Sequence, residues 1–321
     1  MIDFAVNVRG DTPPSWLVER LRSRVPELAS YPRATDERAA VAAVAARHGR
    51  RQDEVALLAG AAEGFALLAN LRPHSAALVA PSSTEPEAVL TAAGVPVRHV
   101  VLPPPFSMAG ADPVPDDADL VVVGNPTNPT SVLHAREDIL RLRRPGRLLV
   151  VDEAFADAIP REPESLTARP LPDVLVLRSL TKTWGLAGLR VGYALGAPEV
   201  LQRLTASRPP WPLGTLQLEA LAAGCSEEAV AQAEAGAHRL VAMRTAMVAG
   251  LTGCGADVVA GAGPFVLFSV PDANLARKRL DALGIAVRRC DTFIGLDGQY
   301  LRAAVRPEWP ALVAGLTEIL R

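Results

Sequence analysis

The chain has 321 residues, 49% hydrophobic and 21% charged, which suits two domains with buried cores and excludes a disordered tail or a disulfide miniprotein. Its net charge of -2 gives no field to draw in nucleic acid. No run of about 18 apolar residues is present to cross a membrane, and the N-terminus lacks the basic-then-apolar pattern of a secretion signal, so the cytoplasm is the expected compartment.

In chain order, ERAAVAAVAARHG (37–49) reads as a helix, and GAAEGFALL (60–68) opens another after a glycine. Apolar, β-branched runs follow at 76–81, 97–102, 119–126, 147–154, 173–180 and 191–196. Most are near-continuous rather than alternating, as strands covered on both faces should be. EPEAVLTAAG and AREDILRLRR fit helices between them, and the Pro-rich segment 103–118 fits a surface loop. The alternation predicts an α/β domain with a mainly parallel sheet. Prolines in RPPWPLGT (208–215) interrupt it. Two long helical patterns then fill 216–252, and apolar runs at 265–270 and 300–305 flank a helix at NLARKRLDALG, which predicts a smaller α+β domain. The expected division is a large domain over 27–212 and a small domain from 1–26 and 213–321.

Residue usage narrows the chemistry. Cys225, Cys254 and Cys290 form neither a disulfide framework nor a zinc pattern, and the five histidines are scattered, so no metal is expected. Of the 33 basic residues, only Lys182 and Lys278 are lysine. Where charge alone matters this chain uses arginine, so a retained lysine points to a need for its amine, which a guanidinium cannot replace. Lys278 sits among arginines on a helix and reads as solvated surface. Lys182 lies between a strand and a glycine-rich stretch, in RSLTKTWGLAG.

Ligands bind an open parallel sheet at the carboxyl ends of its strands. There the chain places Asn125 and Asn128, then Asp152, then Ser179, Thr181 and Lys182, with Arg190 soon after. An amine can form a Schiff base with an aldehyde. A carboxylate can hold a ring nitrogen protonated. Ser179, Arg190 and the N–H groups opening the helix after Gly60 can hold a phosphate. Asn128 can donate to a ring phenolate. Pyridoxal 5'-phosphate (PLP) combines all four features. A nucleotide-binding turn fits less well, because GLAGLRVG comes too late in the chain.

The strings NPTNPTS, VVDEAF, SLTKTWGLAGLRVGY and YLRAAVR, in this order, resemble the fold type I PLP-dependent enzymes of the class I/II aminotransferase family. The resemblance runs from about Asp3 to the C-terminus. It implies Lys182 as the Schiff-base lysine and Asp152 as the partner of the ring nitrogen. It further implies Asn128 at the ring oxygen, and Ser179, Arg190 and the backbone of Ala61 and Ala62 at the phosphate. Tyr31 resembles the tyrosine that reaches the phosphate of a neighbouring subunit, which implies a homodimer with shared sites. Arg302 resembles the arginine that grips a substrate carboxylate, and Arg306 is a candidate second cation for a phosphorylated substrate.

Within the family the chain is most similar to histidinol-phosphate aminotransferases and to the threonine-phosphate decarboxylases of cobalamin biosynthesis. The substrate implied is a small, phosphorylated amine or amino acid, and the reaction implied is transamination, with decarboxylation as the alternative. Four positions depart from the family pattern: no aromatic stands near Ser83 to stack on the cofactor, Ser131 replaces a glycine, Arg9-Gly10 replaces an NP turn, and Pro264 stands where asparagine is common. Phe155 also lacks the hydroxyl that many relatives use. The absent stacking ring leaves a further alternative, a PLP-binding regulatory protein with little turnover.

Overall fold

The computed structural model describes residues 1–8, 10, 12–109 and 114–320. From the N-terminus the elements are β1 (Ile2–Asp3), α1 (Ser15–Arg24), α2 (Ala34–His48), β2 (Val55–Leu58), α3 (Ala61–Ala66), β3 (Ala76–Ala80), α4 (Glu85–Ala92) and β4 (Val97–Val101). Then come β5 (Leu120–Gly124), α5 (Arg136–Leu140), β6 (Leu148–Asp152), β7 (Val174–Ser179), β8 (Gly192–Leu195), α6 (Pro198–Leu204), α7 (Thr215–Gly224) and α8 (Glu227–Gly253). The chain closes with β9 (Asp257–Val258), β10 (Phe265–Ser269), α9 (Ala273–Ala282), β11 (Ile285–Ala286), β12 (Arg288–Arg289), β13 (Tyr300–Ala304) and α10 (Trp309–Ile319).

Each apolar run of the first two-thirds becomes a strand of one seven-stranded sheet, ordered β2-β8-β7-β6-β5-β3-β4. Only β8 runs against its neighbours, so the sheet is mainly parallel as expected. The near-continuous hydrophobicity has a direct cause. Val121, Val123, Leu149, Val151 and Val176 face α1, α2 and α7 through Leu17, Val44 and Leu221. Their neighbours Leu120, Val122, Val150, Leu175 and Leu177 face Phe65, Leu90 and Leu204 on the opposite side. Both faces are covered, so alternation has no polar side to show.

β2 was not anticipated. It is a four-residue strand, half-buried at its start, too short to stand out from its polar flanks. The helix expected over 135–144 is only the short α5, because the chain turns after it and Arg147 anchors the turn by donating to Leu142 O and Ala118 O at 2.8 Å each.

The C-terminal part forms an antiparallel sheet ordered β12-β13-β10-β9. Val266, Phe268, Leu301 and Ala303 face a core with α8, α9 and α10. Leu267 faces the other way, toward Phe106, Val132 and Phe293. β1 pairs with β11, which ties the N-terminal segment to this second unit. α8, capped by Ser226 with two glutamates in its first turn, leads from the large sheet into it. No helix among the described residues is long and apolar enough to cross a membrane.

Candidate active site

The parallel strands β5, β6 and β7 end at the same edge, at Gly124, Asp152 and Ser179. After β5 the chain makes a locked turn. Asn125 N–H donates to Asp152 O at 2.8 Å, and the Asn125 side chain exchanges two bonds with the His134 backbone, at 2.8 and 3.1 Å. Thr127 Oγ1 donates to Gly124 O at 2.7 Å. His134 meets Thr127 at 3.1 Å and is held neutral, since burial pulls its imidazole down to about 4. Ser131 closes the turn at a φ of +66°, the left-handed region that glycine enters freely. The small unit packs on this corner. Ala262 N–H donates to Ser131 O at 2.8 Å, and Gly261 comes so close that a Cβ there would lie 2.6 Å from that oxygen. Pro264, at the end of this loop, still accepts from Val305 N–H at 2.8 Å.

Asp152 accepts from Ala154 N–H at 3.0 Å. Part of the residue's surface stays accessible, yet the carboxyl is densely surrounded. Burial raises its pKa to about 7; the Ala154 bond opposes this, Glu85 and Glu153 add to it, and Lys182 opposes it. Lys182 follows β7. Burial lowers its amine below the usual range, Arg190 and Arg302 act in the same sense, and Glu85 and Asp152 oppose them.

The phosphate candidates converge on one corner. Gly60 sits at φ +82°, where a Cβ would lie 3.2 Å from Arg190 Nη2 and 3.8 Å from Thr181 Oγ1. Ala61 and Ala62 begin α3, so their N–H groups have no acceptor within the helix. Ser179 pairs across the sheet with Gly192, two residues after Arg190. Gly192 must lack a side chain, because a Cβ would meet Arg178 O at 2.5 Å and Ala61 N at 2.9 Å. The corner is thus a glycine cradle lined by N–H, hydroxyl and guanidinium donors.

Arg302, on β13, is almost fully buried. Its Nη1 donates to Asn128 Oδ1, and its Nη2 donates to Ala5 O at 2.6 Å. Its guanidinium lies 5.2 Å over the Phe265 ring, which meets Phe155 edge-on. Nε has no partner among the described residues, and burial lowers this guanidinium to about 10. Phe155 packs here as an apolar wall.

Two expected residues stand apart from this cluster. Arg306 donates to Asp3 O at 3.2 Å and pairs with Glu308 at 3.4 Å. It lines a cavity of about 520 Å³ with Asn7, Trp184 and Arg239, which Lys182, Asp152, Asn128 and Arg302 do not line. Tyr31 is 73% exposed and stacks on Trp211 at 4.4 Å, with no hydrogen bond from its hydroxyl among the described residues. Arg9 lies outside the described residues.

Two further side chains belong here that sequence reasoning did not single out. Arg288 pairs directly with Arg302 across β12 and β13, so both side chains leave the same face. It has no carboxylate partner among the described residues; it reaches Thr292 Oγ1 at 3.3 Å and stacks 5.6 Å over Phe293. Its signal is the short run GIAVRR ahead of YLRAAVR. Glu85, hydrogen-bonded by Ser83, sits beside the strand ends where the stacking aromatic is missing, close enough to act on both Asp152 and Lys182.

Residues 1–308 match the model of the class I and II aminotransferase family. A histidinol-phosphate aminotransferase of Mycobacterium tuberculosis (strain H37Rv) is 66% identical over 318 residues, covering 99% of this chain and 87% of its own length. A threonine-phosphate decarboxylase of Sinorhizobium sp is 33% identical over 234 residues, 70% of this chain and 66% of that protein. The solved histidinol-phosphate aminotransferase of Sinorhizobium meliloti, in complex with pyridoxal-5'-phosphate, superposes with a TM-score of 0.85 at 20% identity, covering 100% of this chain and 91% of that one. The chain belongs to the class I and II aminotransferases.

Proposed function

We propose that this chain transfers the amino group of a small phosphorylated amine of the histidinol-phosphate type, with PLP as cofactor and Lys182 as its Schiff-base residue. The observation that carries this reading is that Lys182 follows β7 at the edge where Asp152 ends β6, together with the donor-lined corner at Gly60 and the Asn128–Arg302 pair. The 66% identity to a histidinol-phosphate aminotransferase supports it.

The residues fit the cofactor. A phosphate needs several donors and room, and Ser179, Arg190 and the N–H groups of Ala61 and Ala62 supply both beside a glycine with no Cβ. Asp152 would face the ring nitrogen and Asn128 the ring oxygen. When bound, PLP supplies an electron sink for bonds at the amine-bearing carbon. Asp152 would hold a proton on the ring nitrogen; its carboxyl, raised to about 7 when alone, would ionise beside that cationic partner. Lys182, with its amine lowered, would take and return the proton of the substrate carbon. Phe155 and Phe265 exclude water beside Arg302.

Arg302 and Arg288 would hold the substrate's anionic end, since two adjacent cations without carboxylate partners among the described residues suit a phosphate dianion. The same pair favours a second reading: a phosphorylated amino acid would offer both phosphate and carboxylate to the two arginines, and decarboxylation would follow. Arg306 would act at most from the rim.

The same reading includes a homodimer, a cytoplasmic setting and a large domain over 27–212, onto whose sheet α1 and α7 from outside these bounds also pack. Tyr31 and Trp211, with exposed Val25 and Leu28 on the preceding turn, would form the contact, and Tyr31 would reach the neighbour's phosphate corner. The test incubates the PLP-loaded protein with histidinol phosphate or threonine phosphate and assays amino transfer to a 2-oxo acid and release of carbon dioxide. Transfer from histidinol phosphate supports the first reading, and gas release from threonine phosphate the second. Borohydride trapping and peptide mapping should label Lys182; an unlabelled Lys182 would overturn both.

A further inference from the structure

Beneath the strand ends lies a buried ion network that the chemistry above does not use. Successive residues of an extended chain point to opposite faces. At the ends of β6 and β7 the residues beside those assigned to the cofactor accordingly point the other way, Glu153 after Asp152 and Arg178 before Ser179. In the turn beyond β7, Thr183 follows Lys182 and joins Arg178 on Asp157. Arg178 Nη1 donates to Glu153 Oε2 at 3.1 Å, its Nη2 donates to Asp157 Oδ1, and it also pairs with Glu162. Arg47 Nη2 donates to Asp157 Oδ1 at 2.9 Å. Thr183 Oγ1 donates to Asp157 Oδ2 at 3.0 Å. Glu153 is further held by Ser165 at 2.6 Å and Leu166 N–H at 2.7 Å.

Arg178, Glu153 and Asp157 are nearly inaccessible to solvent. A buried network of this size adds little stability over apolar packing of the same shape, but it is directional and fixes geometry. β6 and β7 are already held in register by backbone bonds. The segment carrying Lys182 lies beyond the strand, and Thr183 is the point where it is tied by a side chain to both. We infer that Thr183 is a positioning residue: through Asp157 it sets where the Lys182 amine stands relative to Asp152 and Ser179. The inference rests on the assignment of Lys182 made above.

The experiment uses the full-length, PLP-loaded protein as wild type, Thr183→Val, Thr183→Ser, Glu162→Gln and Lys182→Ala. The readouts are the pH midpoint of the cofactor's visible absorption band, kcat and KM, and Tm. Thr183→Val keeps the shape and loses the bond. It should move the midpoint by more than about half a pH unit and lower kcat about tenfold with little change in KM, as expected of a displaced reacting group. Thr183→Ser should restore both. Glu162→Gln weakens the half-exposed rim of the network without touching Thr183; it should lower Tm and leave the midpoint in place. A Thr183→Val protein with wild-type midpoint and kcat would overturn the inference, as would an equal midpoint shift in Glu162→Gln. A wild-type band that persists in Lys182→Ala would instead sink the assignment of Lys182.

Discussion

Arg302 reaches from the small sheet to the edge of the large one and donates a hydrogen bond to the side chain of Asn128. The two residues are 174 positions apart, and this bond joins the substrate-side arginine to the turn proposed to face the cofactor. Arg302→Leu should break it and leave Asn128 in place. The expected loss is about 2–5 kcal/mol in kcat/KM, as for truncation of a buried hydrogen-bonded charge, while PLP affinity stays near wild type. Steady-state kinetics with a fluorescence titration of cofactor binding would check both; a matching loss of PLP affinity would argue that Arg302 supports the fold instead.

Arg288→Ala should raise KM for a phosphorylated substrate by about tenfold or more, since one charge-assisted bond is worth roughly 1.5–3 kcal/mol. Arg306→Ala should change it little, because Arg306 is turned toward Asp3 and Glu308. The opposite ranking in parallel assays would reassign the second cation.

Asp152 makes the cofactor-free protein sensitive to pH. Its folded pKa, about 7, lies above the unfolded value of 3.8. The native state therefore keeps a proton that the unfolded state releases, and the contribution is fully present below 3.8 and fades as pH rises through about 7. Melting curves of the PLP-free chain should show Tm falling across this window, and Asp152→Asn should flatten the fall. The same variant, loaded with PLP, should lose most activity. A pH-independent Tm in the wild type would contradict the burial argument.

Ser131 holds a left-handed φ and carries a buried hydroxyl with no partner among the described residues. Ser131→Gly should relieve both, against a smaller entropic cost, for a net gain of about 1 kcal/mol. Urea unfolding would measure it, and a loss of stability would show that packing of the Ser131 side chain against Gly263 outweighs the strain.

Tyr31 is exposed and stacked on Trp211, an arrangement suited to a second copy. Tyr31→Phe should weaken PLP binding by about 1 kcal/mol, the size of one hydrogen bond to phosphate. Mixing inactive Lys182→Ala subunits with Tyr31→Phe subunits should yield hybrids in which one site has both residues intact. A monomeric mass at working concentration would remove the basis for this expectation.

The central sheet and the residues at its strand ends were legible in the chain itself. Strands buried on both faces are apolar at nearly every position, Arg178 in β7 excepted, so polar Asn125, Asp152 and Ser179 mark their ends by contrast, and the scarcity of lysine makes Lys182 conspicuous. Arg306 and Arg288 were harder to separate. Both lie near Arg302 in a short stretch of arginine-rich sequence, and only the register of β12 against β13 puts Arg288 beside Arg302 while Arg306 turns to the N-terminal segment. Glu85 and the Thr183–Asp157 bond depend likewise on segments brought together by folding. Local composition determines which segments become buried strands, because burial acts on each residue's own side chain. Which cations share a face is decided by the register between paired strands, and that information exists only in three dimensions.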